Sequence, residues 1–135
     1  MYSKLILYHG TAKRFDKFNT SLLGITSEGM CGGSGNKLGV YFTDSIDTAK
    51  DYAQASGAKV GEEIILICEV PCRGDYYIND GYGSIEIEEM AEEEIQNLQE
   101  HSEDTDLFIM ENPYYTEYCV IPEKVDGIKI IGILA

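Results

Sequence analysis

The stretch GVYFTDSIDTAKDYAQASG, residues 39–57, carries the clearest fold signal in this sequence. It opens with Gly39–Thr43, a strand-like run rich in aromatic and β-branched residues. Asp44 or Ser45 can then cap a helix over Asp47–Ser56, because their side chains accept hydrogen bonds from the first amides of a helix. The apolar positions of that helix lie three or four apart, and a glycine follows them: Ile46, Ala49, Tyr52, Ala53 and Gly57. A strand followed directly by a helix predicts a fold that contains both.

Further strand signals lie on both sides of this stretch. Lys4–Tyr8 is a short apolar run, and we expect the following His9-Gly10-Thr11 to stop it. Glu63–Val70 is a longer apolar run that fits a buried central strand, with Pro71 as its expected end. Two more apolar runs without helical periodicity close the sequence: Glu117–Ile121 and Ile128–Leu134.

Helix signals are fewer than strand signals. An amphipathic helix is predicted over Ile85–Leu98, and a shorter one over Phe15–Leu23. Gly24–Lys37 contains five of the fourteen glycines and is expected to be a long functional loop, followed much later by an acidic connector, Glu100–Asp106. With 135 residues and no internal repeat, the chain is predicted to be one α+β domain over residues 1–135.

The charge of the chain is strongly acidic and unevenly distributed. Its formal net charge of −14 excludes general nucleic-acid binding through counterion release. Residues 1–60 carry seven basic and five acidic side chains, whereas residues 61–135 carry three basic and nineteen acidic ones. The acidic side chains are therefore concentrated on the later helix and connector.

Cysteine and histidine usage argues against a metal centre. The chain has two histidines, and its cysteines lack the paired C-x-x-C spacing of zinc sites: Cys31, Cys68, Cys72 and Cys119. Buried thiols in a reducing compartment are the favoured interpretation. No apolar run approaches the ~20 residues of a membrane helix, and the apolar start of the chain is too brief for a signal peptide. We therefore expect a cytoplasmic protein with no metal and no membrane partner.

Three short segments hold the candidate functional residues. Gly10 lets a ligand approach the backbone, and His9 offers a ring nitrogen to a sugar hydroxyl, although a lone histidine is often an ordinary core or surface residue. Tyr41 and Tyr52 can hold a flat heterocycle between two rings, or both can be core aromatics. Glu117 opens an apolar strand, where aromatic neighbours would partly desolvate its carboxylate; the alternative is an exposed strand-end residue.

In this order, the three segments resemble the signature regions of the ADP-ribosyltransferases of the diphtheria-toxin and poly(ADP-ribose) polymerase type. The segments are Leu7–Thr11, Gly39–Thr43 with Ala49 and Tyr52 on the following helix, and Tyr115–Val120. The resemblance spans nearly the whole chain. It implies that superfamily's fold, a split mixed or antiparallel β-sheet core with flanking helices, and it implies NAD as the substrate, without a metal.

The resemblance also implies a His-Tyr-Glu catalytic triad made of His9, Tyr41 and Glu117. The histidine of this triad binds the adenine-side ribose, and the glutamate binds the 2′-hydroxyl of the nicotinamide ribose. Tyr41 and Tyr52 then correspond to the two rings between which nicotinamide stacks.

Other positions follow from the same resemblance. The Gly10 backbone corresponds to the partner of the nicotinamide amide, and Thr11 completes the NAD-contacting motif. Gly24–Lys37 lies where these enzymes have a loop over NAD, and Asn112–Thr116 where they have an acceptor-recognition loop. Ala49 departs from the pattern, because some polymerases have a serine there that binds the nicotinamide carboxamide. The mildly basic N-terminal half is the one that would hold the NAD pyrophosphate.

The predicted function is transfer of ADP-ribose from NAD to a macromolecular acceptor, with protein preferred over RNA or DNA and nicotinamide as the other product. A bacterial or phage toxin, effector or host-modifying factor is the expected setting, with delivery into a target cell and an inhibitor or antitoxin partner as further expectations. Two alternatives stay open: an NAD glycohydrolase, and a catalytically silent module that binds NAD or ADP-ribose.

Overall fold

The fold is built around one β-sheet with a helix packed against it. The computed structural model describes residues 3–18, 39–55, 57–72, 74–77, 96–97, 100, 105–111 and 115–134. The elements in chain order are β1 Ser3–Thr11, β2 Val40–Thr43, α1 Ile46–Ala55, β3 Ile64–Cys72, β4 Asp75–Tyr77, β5 Leu107–Glu111, β6 Thr116–Val120, a 3₁₀ helix Pro122–Gly127 and β7 Lys129–Leu134. This mixture confirms the predicted α+β class.

The seven strands form a single sheet in the order β4-β5-β6-β2-β1-β3-β7. Neighbouring strands are antiparallel except β4 and β5, which run parallel. β1 and β3 are paired along nine residues, from Ser3 opposite Cys72 to Thr11 opposite Ile64. The sheet is therefore mixed but largely antiparallel, as predicted.

The sheet is divided between β1 and β2. These two strands share one register pair, Tyr8 opposite Thr43. If the ladder continued, His9–Thr11 would face Val40–Phe42, yet no register pair joins these segments in the part of the chain that the structure describes. The sheet thus has two halves, β4-β5-β6-β2 and β1-β3-β7, and this division confirms the predicted split.

The sheet has two faces with different partners, because successive side chains of a strand point to opposite sides. The core face carries Leu7 and Phe42 with the other members of the main apolar cluster. The helix face carries Gly10 and Glu117 and packs against α1. This packing is so close that a Cβ atom on Gly10 would lie 1.7 Å from the Ala49 carbonyl oxygen. Glycine is therefore required at position 10 by the contact between β1 and α1.

Most predicted elements are present in the structure. The apolar runs predicted as strands correspond to β1, β2, β3, β6 and β7, and the predicted helix corresponds to α1. Ser45 caps this helix, because its Oγ accepts a hydrogen bond from the Thr48 amide at 3.2 Å. The helix buries the predicted side: Ala49, Tyr52 and Ala53.

Two predicted strand ends are wrong. β1 does not stop before His9-Gly10-Thr11, because β3 pairs with it through Thr11. β3 does not stop before Pro71 and continues to Cys72. Pairing of β3 with β7 ends at Glu69, so Pro71 lies where β1 is the remaining neighbour, and sheet edges tolerate proline.

The helix predicted over Phe15–Leu23 is wrong in its described part, since Phe15–Phe18 is not helical. The Phe15 and Phe18 rings pack against each other and against His9, so tertiary contacts override local propensity here. Sequence reasoning also missed β4, β5 and the 3₁₀ helix. The signal for β5 was the short run Leu107–Met110, which is buried on both of its faces.

Other predicted features fall outside the described residues. These are the loop over Gly24–Lys37 with Cys31, residues 101–104 of the connector, residues 112–114 of the loop over Asn112–Thr116, and the helix over Ile85–Leu98 apart from Gln96 and Asn97, which are helical and exposed. Among the described helices, none is long and apolar enough to cross a membrane.

Candidate active site

Glu117 is completely buried on the helix face of β6, with a relative exposure of 0%. It lies between two strands, opposite Thr43 of β2 and Met110 of β5. The alternative of an exposed strand-end glutamate is therefore wrong. A buried carboxylate destabilises a fold unless hydrogen bonds compensate for the lost water. Glu117 is therefore a candidate for a functional role.

Tyr52 supplies such a hydrogen bond. Its hydroxyl donates to Glu117 Oε2 at 2.5 Å, in a buried contact between α1 and β6. This distance is at the short end of the range for hydrogen bonds between two oxygen atoms. Sequence reasoning placed both residues in the site but did not foresee the bond. The period of α1 gave the buried side of the helix, whereas the hydroxyl's partner depends on how α1 crosses the sheet.

Tyr41 lies on the same face as Glu117. It precedes Thr43 by two residues on β2, and Thr43 is the register partner of Glu117. Both tyrosines are buried, with exposures of 1% for Tyr41 and 9% for Tyr52. The structure thus brings two aromatic rings and one carboxylate to a single face, while stacking of nicotinamide between the rings stays a prediction.

His9 joins the two halves of the sheet where β1 and β2 separate. Its Nδ1 lies 2.7 Å from the Tyr41 carbonyl oxygen. A carbonyl oxygen can only accept, so Nδ1 donates, and in a neutral ring Nε2 is then an acceptor. This assignment of the proton is inferred from the bonding partner. An acceptor nitrogen is what the predicted contact with a ribose hydroxyl requires.

Phenylalanine rings surround the His9 imidazole. Phe15, Phe18 and Phe42 have ring centroids 6.0, 5.0 and 5.4 Å from it, and His9 is 1% exposed. His9 follows Tyr8, the register partner of Thr43, so its ring points to the core face. The structure therefore links His9 to the Tyr41 backbone but places its ring on the opposite face from Glu117. Sequence reasoning missed these ring contacts, because it placed Phe15 and Phe18 in a predicted helix.

Gly10 and Thr11 are both buried at the end of β1. Gly10 has the packing role described above, so its glycine identity has a structural cause in addition to the predicted contact with nicotinamide. The Thr11 hydroxyl donates to the Lys13 carbonyl at 3.0 Å and accepts from the Lys13 amide at 3.2 Å. Thr11 thus organises the turn that leaves β1, and its contact with NAD stays a prediction.

Asp44 connects the two strands that carry Tyr41 and Glu117. Its Oδ1 accepts a hydrogen bond from the backbone amide of Thr116 at 3.0 Å. Thr116 directly precedes Glu117, so this bond ties the start of β6 to the end of β2. Sequence reasoning considered Asp44 only as a helix cap and missed this contact between distant segments.

A comparison of the sequence with known protein families gives a match that covers most of the chain. A sequence profile described as "ADP-ribosyltransferase in polyvalent proteins" matches residues 3–129, nearly the whole chain.

The chain belongs to this ADP-ribosyltransferase family. The domain therefore belongs to a family of enzymes that use NAD as their substrate. None of the curated proteins compared with this chain matches it in sequence. The matched range begins with β1 and includes β6, so it contains every candidate residue from His9 to Glu117.

Burial makes one of the described thiols, Cys68, unreactive. Cys68, Cys72 and Cys119 are buried, and burial raises the pKa of the Cys68 thiol to about 12. A thiol with such a pKa is almost entirely protonated at neutral pH, and the thiolate is the reactive form. Among the described residues, no group of three His, Cys, Asp or Glu side chains could hold a metal ion.

Proposed function

We propose that this domain transfers ADP-ribose from NAD to a macromolecular acceptor by the mechanism of the diphtheria-toxin and poly(ADP-ribose) polymerase type, with His9, Tyr41 and Glu117 as its triad. One observation carries the proposal above all. Glu117 is a fully buried carboxylate that accepts a hydrogen bond from Tyr52 on the face that also carries Tyr41. A carboxylate beside two aromatic rings suits the nicotinamide end of NAD.

The chemistry requires a group that stabilises positive charge on a sugar. The bond between the nicotinamide nitrogen and C1′ of the ribose breaks, and its electron pair leaves with nicotinamide, which becomes neutral. The ribose becomes oxocarbenium-like, and a nearby carboxylate stabilises it, as carboxylates do in glycoside cleavage. The acceptor's nucleophile then bonds to C1′ and releases its proton. Glu117 supplies the negative charge through its contact with the 2′-hydroxyl.

The other residues bind and orient NAD. Tyr41 and Tyr52 hold nicotinamide between their rings, while the Gly10 backbone pairs with its amide. His9 fixes the adenine-side ribose through Nε2, and the bond from Nδ1 to the Tyr41 carbonyl supports this role because it sets the ring's orientation. Since nicotinamide is itself a good leaving group, most of the catalytic effect comes from orientation and charge stabilisation.

The acceptor is a protein with a basic surface in this proposal. The acidic side chains of residues 61–135 favour such a partner through charge complementarity. The domain acts in the cytoplasm of the producing or a targeted cell, as a toxin, effector or host-modifying factor, and an inhibitor protein restrains it. No metal takes part.

The test incubates the protein with NAD labelled in its adenylate part, with and without cell lysate. We expect nicotinamide release and label transfer that depend on lysate, and protease should destroy the labelled species. Glu117→Gln should lower the transfer rate about 10²- to 10³-fold, the range for loss of one preorganised electrostatic group, while NAD binding persists. Glu123→Gln, which changes an exposed glutamate, is the matched control and should behave as wild type.

Other outcomes would contradict the proposal. Nicotinamide release at the same rate without lysate indicates a glycohydrolase. NAD binding without release indicates a silent binding module. Label that is destroyed by nuclease and not by protease overturns the protein acceptor. Transfer by Glu117→Gln at the wild-type rate removes Glu117 from the mechanism.

A further inference from the structure

We propose that the Tyr52 hydroxyl is a positioning group that holds the Glu117 carboxylate in its reactive orientation. This role is separate from the stacking predicted for the Tyr52 ring, and for catalysis it rests on the proposed function. The family resemblance concerns the aromatic ring, which phenylalanine would also provide. The hydroxyl has its own partner in this structure, Glu117 Oε2 at 2.5 Å.

The backbone alone does not determine where the Glu117 carboxylate points. Register pairing on both sides fixes the Cα atom of Glu117 within the sheet. Its side chain still has three rotatable bonds, and the last of them has a broad distribution of angles. A short hydrogen bond to Oε2 restricts these rotations, and it therefore also sets the direction of the second oxygen, Oε1.

The hydroxyl itself is held by close packing of the helix. α1 contacts the backbone of β1 at Gly10, where a Cβ atom would lie 1.7 Å from the Ala49 carbonyl oxygen. Tyr52 lies three residues after Ala49, on the same buried side of α1. The height of α1 above the sheet thus fixes the position of the Tyr52 ring and hydroxyl.

This arrangement makes the hydrogen bond a connection across the division of the sheet. α1 packs on β1, which belongs to one half, whereas Glu117 lies on β6 in the other half. The bond from Tyr52 to Glu117 spans the two halves on the helix face. The position of the carboxylate is therefore tied to the half of the sheet that carries His9 and Gly10.

The expected consequence is a carboxylate that is oriented before NAD binds. Groups that are already in place when charge develops lower the barrier without reorganisation during the reaction. Loss of the hydroxyl should therefore reduce kcat and leave KM for NAD unchanged, because the aromatic ring that contacts nicotinamide is retained.

The experiment compares Tyr52→Phe with Tyr118→Phe. Tyr52→Phe should lower kcat for nicotinamide release about 10- to 100-fold, the effect of losing one hydrogen bond to a charged group. Tyr118 is the residue next to Glu117 on β6, and its side chain belongs to the core face. Tyr118→Phe also removes one hydroxyl and should leave kcat at the wild-type value. A wild-type kcat for Tyr52→Phe would overturn the proposal, as would an increase in KM with unchanged kcat.

A double-mutant cycle with Glu117→Gln separates positioning from other roles of Tyr52. If the hydroxyl acts through the carboxylate, Tyr52→Phe should have no further effect on the residual rate of Glu117→Gln. If the rate of the double variant were instead reduced by the product of the two single-variant factors, the proposal would be wrong.

Urea denaturation of the wild type, Tyr52→Phe, Glu117→Gln and the double variant tests the hydrogen bond without any measurement of activity. Their unfolding free energies should be non-additive, and additivity would overturn the bond itself. If the wild type releases no nicotinamide, the proposed function fails, while this second cycle still decides whether Tyr52 holds Glu117.

Discussion

The two faces of the sheet use their buried positions differently. On the core face, residues such as Leu7 and Phe42 form one apolar cluster that spans both halves of the sheet. On the helix face, a buried carboxylate meets a tyrosine hydroxyl beneath a helix. Burial of apolar side chains on the core face stabilises the fold, whereas burial of the Glu117 carboxyl group on the helix face costs some of that stability. The helix face is therefore the one on which we place the nicotinamide end of the proposed NAD site.

His9 is the exception that connects the two faces. Its ring lies among phenylalanines on the core face, yet its Nδ1 donates to the backbone of Tyr41, whose side chain lies on the helix face. This hydrogen bond from the imidazole joins β1 to β2 next to the one register pair that the two strands share. Because His9 donates to the Tyr41 carbonyl oxygen, this buried oxygen has a hydrogen bond at the point where β1 and β2 separate.

The largest expected effect comes from breaking the core face. Phe42 is 0% exposed and contacts His9 in the middle of this face. Phe42→Ala should reduce the free energy of unfolding by about 3–5 kcal/mol, as is usual for a buried phenylalanine replaced by alanine. Urea denaturation monitored by circular dichroism measures this loss. A loss below about 1 kcal/mol would contradict the assignment of Phe42 to a tightly packed core.

A somewhat smaller effect is expected from forcing the helix face apart. Gly10→Ala places a methyl group against the backbone carbonyl of Ala49, which no side-chain rotation can relieve. We expect a loss of about 3 kcal/mol in the free energy of unfolding, at the upper end for overpacking, together with loss of nicotinamide release because Tyr52 is displaced. The control is Gly132→Ala, whose methyl would meet the end of the flexible Ile67 side chain at 3.3 Å. Equal stability of the two variants would contradict the close contact between β1 and α1.

The smallest effect is expected at the residue that joins the faces. His9→Phe retains an aromatic ring among the phenylalanines but removes the Nδ1 bond to Tyr41. We expect about 1–2 kcal/mol less stability, because the hydrogen bond from Nδ1 to the Tyr41 carbonyl oxygen is lost. We also expect a Kd for NAD about tenfold higher, since the predicted bond to the ribose is lost. Calorimetry measures the Kd, and an unchanged value would remove His9 from the NAD site.

Local sequence signals account for most of the elements. The run Gly39–Thr43 is rich in aromatic and β-branched residues, and the apolar positions of the helix after it lie three or four apart, so β2 and α1 follow from neighbouring residues alone. β5 was missed because its apolar run is short and buried on both faces, a pattern that helices and strands share. Phe15–Phe18 was misassigned because its conformation depends on contacts with His9, which lies on another element.

The sequence by itself determined the α+β class, the order of the three motifs and the identity of the candidate residues, because each depends on residue types at short spacing. Only the tertiary structure decided how these residues meet. Strand register placed Glu117 and Tyr41 on one face and the His9 ring on the other. The crossing of α1 over the sheet brought the Tyr52 hydroxyl to Glu117, 65 residues away in the chain. Contacts of that kind depend on the packing of whole elements, and no local pattern encodes them.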